Sequence, residues 1–312
     1  MKTYLFGPVR SRRLGLSLGV DLITGCKTCN LNCVYCELGR TLNLTSDRKV
    51  FVETKPVLDE LKNFFDAGGE ADYITFSGAG EPTLALNLGE AISGTKRLFS
   101  VKTALITNAV LFYDSQVRAE AALADVVLPS LDAGSEAVFK KLNRPHRGAG
   151  FKKYIEGFKA FAKEYKGELL VEVLLVKGIN DSDKEIANIG GIIKSFGREA
   201  VVQLNTVARS AAEKLAEPVD AGVLKHAAKI IGGKVEIIGG HKEGKAAPAA
   251  GRELKEAVLS TARLRPVTID DITAAVAAGK DDVMKAAEEL VVEGALEKKE
   301  FDGKTFYRGA GA

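Results

Sequence analysis

The chain has 312 residues, of which 46% are hydrophobic and 27% are charged, and its formal net charge is +3 at pH 7. This composition is typical of a globular protein with a large core that needs no disulfide bonds, and the charge is too small to indicate a nucleic-acid partner by itself. No stretch resembles a secretory signal or reaches the length of a membrane span, so we expect a cytoplasmic protein with no membrane partner.

Short apolar runs alternate with longer amphipathic segments over the first 240 residues. The predicted strands are Leu18–Ile23, Asp72–Ser77, Lys102–Thr107, Asp125–Ser130, Leu169–Val176 and Ala200–Asn205, with Lys234–Ile238 as a possible seventh. The predicted helices include Val52–Phe65, Phe151–Tyr165, Asp183–Phe196 and Ala221–Ile231. Strands that alternate with helices indicate a parallel sheet covered by helices. Because six such units are fewer than the eight of a closed barrel, we predict an α/β domain over residues 1–240 built as a partial (β/α)6 TIM-like barrel.

The pattern changes near residue 240. Residues 241–251 are rich in Gly, Ala and Pro, which is typical of a linker. Three predicted helices follow, and then two short strands flank Asp302-Gly303, a dipeptide that favours a tight hairpin. The helices are Glu253–Ala262, Ile269–Ala277 and Asp281–Glu293. Residues 252–312 are therefore expected to form a small winged-helix-like domain.

The net charge of this predicted domain is negative, which does not favour nucleic-acid binding. It contains ten Lys or Arg residues against twelve Asp or Glu residues. Since DNA-binding modules carry a basic surface, DNA binding is not expected for this domain. Contact with a protein, or docking against the chain's own large domain, is the expected alternative.

All four cysteines lie in one short segment, CKTCNLNCVYC at residues 26–36. Thiols stay reduced in the cytoplasm, so clustered cysteines indicate metal ligands or redox groups. The spacing of Cys29, Cys33 and Cys36 can wrap three thiolates round an iron-sulfur cube and leave one iron open. With Cys26 added, the segment could hold a closed four-thiolate cluster or tetrahedral zinc, and spacing alone leaves these possibilities open. The segment follows the first predicted strand, at the carboxyl end where parallel sheets bind ligands.

A glycine-rich motif follows the second predicted strand and reads Ser77-Gly78-Ala79-Gly80-Glu81-Pro82-Thr83. Glycines let the backbone approach a ligand closely, and a carboxylate can accept hydrogen bonds from an ammonium group. The cysteine segment and this motif together resemble the radical S-adenosylmethionine (SAM) superfamily. Its members carry Cys-x3-Cys-x-aromatic-Cys after the first strand and a turn that is often Gly-Gly-Glu-Pro after the second. The matching residues are Cys29, Cys33, Tyr35, Cys36, Gly80, Glu81 and Pro82, while Ala79 interrupts the second pattern.

The resemblance implies a four-iron four-sulfur cluster whose unique iron binds the amino and carboxylate groups of SAM. Cys29, Cys33 and Cys36 would be the metal ligands, and Tyr35 would lie beside the adenine. The other residues expected to bind the cofactor lie in the glycine motif or at the ends of later predicted strands. They are Gly78, Gly80, Glu81, Pro82, Thr107, Asn108, Ser130 and Asp132. No side chain beyond the cluster ligands is identifiable as catalytic.

Within the superfamily, the segments GPVRSRRLGLSLGVDL and KTCNLNCVYC resemble iron-sulfur oxidoreductases related to wybutosine-type tRNA-modifying enzymes. This resemblance covers roughly residues 5–240. It implies reductive cleavage of SAM by an electron from a flavodoxin or ferredoxin, and hydrogen abstraction from a substrate in RNA or protein. Wyosine-forming enzymes use further cysteines for a second cluster, and this chain has none, so full wyosine synthase activity is not expected.

The first 50 residues carry eight basic and three acidic side chains, an excess that favours an anionic ligand near the cysteines. Arg10, Arg12 and Arg13 are candidates to bind a phosphate, although a solvated basic surface would use the same residues.

The alternative function is a regulator that senses redox state or metal through a closed four-cysteine iron-sulfur or zinc site and binds DNA through its winged helix. Polar residues at the ends of nearly every strand and the acidic C-terminal region favour the enzyme. A fourth thiolate would close the open iron, so Cys26 is expected to be a bystander.

Overall fold

The computed structural model describes residues 3–11, 13–209, 211, 213–238, 254–263, 266–276, 278–301 and 303–310. The predicted linker at residues 241–251 and Asp302 of the predicted hairpin lie outside these ranges. The first ten strands are β1 Leu5–Ser11, β2 Gly15–Val20, β3 Thr28–Cys29, β4 Asn43–Leu44, β5 Tyr73–Phe76, β6 Lys102–Thr107, β7 Val126–Pro129, β8 Glu168–Leu175, β9 Val201–Thr206 and β10 Lys234–Ile237.

Within the described residues the main sheet has eight strands in the order β1-β2-β5-β6-β7-β8-β9-β10. Every pair from β2 to β10 is parallel, and β1 is antiparallel to β2. The two-stranded β3-β4 ladder lies outside this sheet. Strand order that follows the chain from β2 onward is that of a TIM-like partial barrel, so the predicted fold class is confirmed. The possible seventh parallel strand is present as β10.

The N-terminal edge differs from the prediction in two ways. Strand β1 was not predicted, and β2 begins and ends three residues before the predicted strand Leu18–Ile23. Asp21 ends β2 because its Oδ1 accepts hydrogen bonds from the backbone N–H groups of Ile23 and Thr24 at 2.9 and 3.3 Å. Such an Asp turn replaces the strand's ladder hydrogen bonds with local ones.

In the part of the chain that the structure describes, seven α-helices connect and cover these strands: α1 Thr54–Asp66, α2 Leu88–Leu98, α3 Ser115–Ala121, α4 Glu136–Leu142, α5 Phe151–Glu164, α6 Asp183–Lys194 and α7 Ala221–Ile231. Helix α5 shows how they pack, since Tyr154, Phe158 and Phe161 recur at helical spacing and are buried in the main core. Side-chain caps at Asp114, Ser135, Ser182 and Asp220 begin four of these helices. Among the residues described, no helix is both long and apolar enough to cross a membrane.

The C-terminal region contains α8 Leu254–Ala262, α9 Ile269–Ala275, α10 Lys280–Val292 and the antiparallel strands β11 Leu296–Phe301 and β12 Lys304–Gly309. Thr268 begins α9 with a capping box to Asp271, as its sequence position predicts. These elements enclose a hydrophobic cluster of their own, which includes Val258, Ile272 and Leu290.

This C-terminal region packs against strand β1. Helices α8 and α9 both contact β1. Ser260 Oγ donates to the Gly7 carbonyl at 3.0 Å, and Arg263 Nη1 donates to the Leu5 carbonyl at 2.9 Å. From the other side, Arg10 Nε donates to the Ala274 carbonyl at 2.8 Å. Strand β1 therefore connects the parallel sheet to the C-terminal region.

Candidate functional site

The cysteine segment forms the loop after β2 and is held from two sides. Cys29 lies in the short β3 strand and is buried, while Cys33 and Cys36 are partly buried and Cys26 is exposed. The backbone N–H of Val34 donates to the Leu142 carbonyl at 3.0 Å, which ties the loop to the end of α4. Three cysteines thus point into the protein, and Cys26 does not.

Two of the three inner sulfurs have N–H groups directed at them. Cys29 Sγ accepts from the Leu31 backbone N–H at 3.4 Å and from Asn108 Nδ2 at 3.5 Å. Cys33 Sγ accepts from Asn143 Nδ2 at 3.4 Å. Donors of this kind stabilise negative charge on sulfur and tune the metal centre that the sulfur binds.

Burial opposes a bare thiolate at these positions. Desolvation raises the pKa of the Cys33 thiol to about 12, and the neighbouring Cys36 charge adds to the effect. Desolvation also raises the pKa of Cys29 well above its usual range. A metal removes this penalty because it deprotonates the thiols and neutralises their charge. The buried sulfurs and their N–H donors therefore fit an iron-sulfur cluster.

A single zinc ion and an iron-sulfur cluster require different arrangements of the cysteine sulfurs. Tetrahedral zinc needs its sulfurs to converge at about 2.3 Å from one point. Among the described residues, no group of three or more His, Cys, Asp or Glu side chains is arranged to hold one metal ion. A cluster requires no such convergence, because each thiolate binds a different iron.

The glycine motif is joined directly to the cysteine loop. Thr28 N–H donates to the Ala79 carbonyl, and Glu81 N–H donates to the Thr28 carbonyl, both at 3.1 Å. A Cβ atom on Gly80 would lie 1.7 Å from the Thr28 carbonyl oxygen, so only glycine permits this approach. Gly78 has φ +144°, and a Cβ there would lie 2.3 Å from Asp21 Oδ1. The two sequence motifs thus lie side by side.

Glu81 is almost fully buried, with 2% of its surface exposed. Both of its carboxylate oxygens accept hydrogen bonds from other residues of the protein. Oε1 accepts from Thr107 Oγ1 at 2.5 Å and from the backbone N–H and Oγ1 of Thr83. Oε2 accepts from the Asn108 backbone N–H at 2.8 Å. Burial raises the pKa of Glu81, and these hydrogen bonds oppose that shift. Glu81 therefore connects the glycine motif to the end of β6.

The remaining strand-end residues form a second buried group. Asp132 is 3% exposed; its Oδ1 accepts from the Leu174 backbone N–H at 2.8 Å, and its Oδ2 accepts from the Tyr35 hydroxyl. Desolvation raises the pKa of Asp132 to about 7. Ser130 donates its backbone N–H to the Thr107 carbonyl at 3.0 Å. Pro82 is buried at the first position of the 3-10 helix Pro82–Leu84.

One cavity of about 300 Å³ adjoins both motifs. Of the predicted site residues, Tyr35, Cys36 and Gly78 line it. Its volume is at the lower end of the range for small-molecule sites. The other predicted cofactor residues, including Gly80, Glu81 and Asn108, are not part of its wall.

Several cavity residues were not identified from the sequence as site residues. Glu172 and Arg209 line the cavity, and Arg13 Nη1 lies 2.8 Å from Glu172 Oε1. Arg209 follows β9 by three residues, so the rule that ligand sites form at carboxyl ends of strands could have identified it. Asn143 contacts Cys33 but lies in a loop, and no sequence rule of this kind would have identified it as a site residue.

Residues 23–189 match the Radical SAM superfamily, more than half of the chain. The chain therefore belongs to the radical SAM superfamily. A four-iron four-sulfur cluster and SAM are the cofactors of this superfamily.

Three curated relatives refine this placement. UPF0026 protein MJ1312 from Methanocaldococcus jannaschii is 33% identical over 98% of this chain and 95% of its own length. UPF0026 protein slr1464 from Synechocystis sp. is 43% identical over 55% of this chain, and GTPase Obg from Brachyspira hyodysenteriae is 38% identical over 67%. The matched regions span 64% and 31% of the lengths of these last two proteins, less than two thirds in each case.

The fold is also similar to that of a solved structure, TYW1 with a lysine-pyruvate adduct bound. The two chains are 18% identical, with a TM-score of 0.52 over 72% of this chain and 75% of the other. At this identity the similarity concerns the fold alone.

Proposed function

We propose that the chain is a radical SAM enzyme in which Cys29, Cys33 and Cys36 hold a four-iron four-sulfur cluster. The junction between the cysteine loop and the glycine motif supports this proposal. Backbone hydrogen bonds at Thr28 fix the glycine motif against the cysteine loop, and a cavity lined by Cys36 and Gly78 adjoins both. When bound at these cysteines, the cluster would supply the electron for reductive cleavage of SAM to methionine and a 5′-deoxyadenosyl radical, which would abstract hydrogen from the substrate.

The chain's own residues would orient the cofactors and exclude water. N–H groups of Leu31 and Asn108 point at the sulfur of Cys29, and an N–H group of Asn143 points at the sulfur of Cys33. Glu81 holds the glycine motif at a fixed distance from β6, and Tyr35 is oriented by Asp132. The remaining predicted SAM contacts stay predictions. They are those of Gly78, Gly80, Pro82, Thr107 and Ser130.

We further propose a reduced flavodoxin or ferredoxin as electron donor, and a cytoplasmic reaction on RNA or protein. The reduced thiols that the site requires support this compartment. Residues 252–312 would form a winged-helix-like domain after a linker at residues 241–251. The separate hydrophobic cluster of this region and its contacts with β1 support a docked domain.

The proposal is tested by anaerobic reconstitution of the cluster in the full chain. We expect the electron paramagnetic resonance spectrum of the reduced cluster to change when SAM is added, and 5′-deoxyadenosine to form. A preparation that holds zinc without iron, or a spectrum indifferent to SAM, would contradict the enzyme and favour the DNA-binding regulator. RNA that copurifies at low salt and is lost at high salt would support the RNA substrate.

A further inference from the structure

One wall of the cavity is built by β1 and the turn that follows it. Arg10 and Arg13 line this wall together with Val9 and Leu14, and Arg209 lines the cavity from the end of β9. Among the described residues, three arginines and two glutamates, Glu37 and Glu172, thus line a cavity that also contacts Cys36 and Gly78. Guanidinium groups stay charged at every physiological pH.

Two of these arginines have carboxylate partners. Arg13 forms an ion pair with Glu172 at 2.8 Å. Arg209 Nη1 lies 3.1 Å from Glu37 Oε1, and its Nη2 lies 3.9 Å from Asp271 Oδ2. The charges of Arg13 and Arg209 are therefore balanced inside the protein.

Arg10 differs from them. It is 9% exposed, and its Nε donates to the neutral Ala274 carbonyl. Its Nη2 is buried without a hydrogen-bond partner, as is Nε of Arg209, but among the described residues Arg10, unlike Arg13 and Arg209, forms no ion pair with an Asp or Glu side chain. A buried guanidinium without an opposite charge is costly, because it loses hydration without gaining an ion pair.

We propose that this cavity binds a small organic anion, with a carboxylate or phosphate group on Arg10. Guanidinium groups bind either anion through paired N–H donors, so the two groups share one recognition chemistry. Val9, Leu14 and Ile106 supply apolar surface for the body of such a ligand. The cavity volume of about 300 Å³ suits a small molecule.

The inference rests on the proposed function, since the anion would be the substrate, or the part of it that enters the barrel. It names a substrate class and a residue for a reaction that the superfamily assignment leaves unspecified. SAM also carries a carboxylate, and the test must therefore separate SAM from a second anion.

The test measures binding of two probes, sodium phosphate and sodium acetate, to the full chain with its cluster reconstituted. Dissociation constants are obtained from the rise in melting temperature as each probe is titrated, with total ionic strength held constant by sodium chloride. We expect saturable stabilisation by at least one probe, and which of the two binds identifies phosphate or carboxylate as the preferred group. Arg10→Gln should weaken that binding by about tenfold or more, the value of a charge-assisted hydrogen bond.

Two further variants keep the result interpretable. Arg10→Lys retains the charge without the paired donors and should bind the probe with intermediate affinity. Arg118→Gln is the matched control, because Arg118 is also largely buried but pairs with Glu164 away from the cavity. It should leave the dissociation constant unchanged even if it lowers the melting temperature.

Three results would overturn the inference. The first is that neither probe stabilises the wild type. The second is that Arg10→Gln binds the probe as tightly as the wild type does. The third is that Arg10→Gln loses SAM binding in equilibrium dialysis, because Arg10 would then hold the SAM carboxylate. Failure of the wild type to cleave SAM would instead overturn the proposed enzyme, and probe binding would still report on the anion site.

Discussion

The strand-end residues and the cavity arginines differ in how far their polar atoms are satisfied inside the protein. Glu81 and Asp132 are both almost fully buried, and both oxygens of each carboxylate accept hydrogen bonds from the protein. Arg10 is also buried, yet its Nη2 has no partner. The strand-end residues therefore fix the loops relative to one another, whereas Arg10 in the cavity wall is the residue to which we assign the proposed anion.

The largest effect is expected at the cysteines that this strand-end group surrounds. Cys33→Ala should abolish the proposed cluster, because it removes one of the three proposed thiolate ligands, a sulfur that accepts a hydrogen bond from Asn143. Cys26→Ala, at an exposed position, should keep the cluster and the cleavage of SAM. Iron content and the electron paramagnetic resonance spectrum measure both variants. Loss of iron in Cys26→Ala would indicate a closed four-cysteine site and support the regulator.

A large effect is also expected where the two motifs meet. Gly80→Ala places a methyl group 1.7 Å from the Thr28 carbonyl oxygen, and the backbone must move. We expect a loss of about 3 kcal/mol in the free energy of unfolding, at the upper end of overpacking effects, and reduced cluster occupancy. Urea unfolding of the cluster-free protein and iron analysis provide the measurements.

The matched control for this substitution is the neighbouring Ala79→Gly. It restores the Gly-Gly-Glu-Pro pattern common in the superfamily and removes one buried methyl group that packs near Phe6. Its cost should be about 1 kcal/mol, with cluster occupancy unchanged. Equal losses in the two variants would show that the close approach at Gly80 does not constrain the loop.

Asp132 provides a test of the strand-end group through pH. Its folded-state pKa is raised to about 7 from the ordinary value of 3.8. Between these values the folded state keeps a proton that the unfolded state has lost. The contribution of Asp132 to stability is therefore fully present below pH 3.8, falls as pH rises toward 7, and is constant above that.

Asp132→Asn removes this contribution, so the variant should gain stability relative to the wild type as pH rises from about 4 to 7. The difference should change by up to about 1.4 kcal/mol per pH unit. Urea unfolding of both cluster-free proteins at a series of pH values measures it. Parallel pH profiles for the two proteins would mean that Asp132 ionises normally in the folded state.

The sequence was informative where chemistry depends on local order along the chain. The spacing of Cys29, Cys33 and Cys36 and the alternation of strands with helices are local patterns, and each predicted strand has a counterpart in the sheet. Strand β1 escaped prediction because Gly7 and Pro8 within it are residues that strands disfavour. Its antiparallel pairing with β2 depends on contacts between the two strands, and the periodicity of the sequence does not indicate such contacts.

The partners of the polar residues could not be predicted, for a different reason. Sequence placed Glu81 and Thr107 at the ends of two strands, but their mutual hydrogen bond depends on how closely those strands approach in the fold. Arg10 and Arg209 are distant in sequence and line the same cavity only because the fold brings them together. Residue type and position therefore predicted a set of candidate site residues, whereas the division between buried support and cavity wall depends on contacts made only in the folded protein.

The smallest predicted effect concerns the packing of the C-terminal region on β1, the strand that contains Arg10. Arg263→Ala removes the hydrogen bond to the Leu5 carbonyl and should destabilise the packing on β1 by about 1 kcal/mol. Hydrogen exchange of the β1 amides should then accelerate about fivefold, if these amides exchange when the C-terminal region detaches. The control is Lys255→Ala, which breaks ion pairs with Glu289 and Glu293 inside the C-terminal region and should leave β1 exchange unchanged. Equal acceleration in both variants would mean that β1 responds to the stability of the C-terminal region as a whole, and the specific contact at Leu5 would carry no separate role in positioning Arg10.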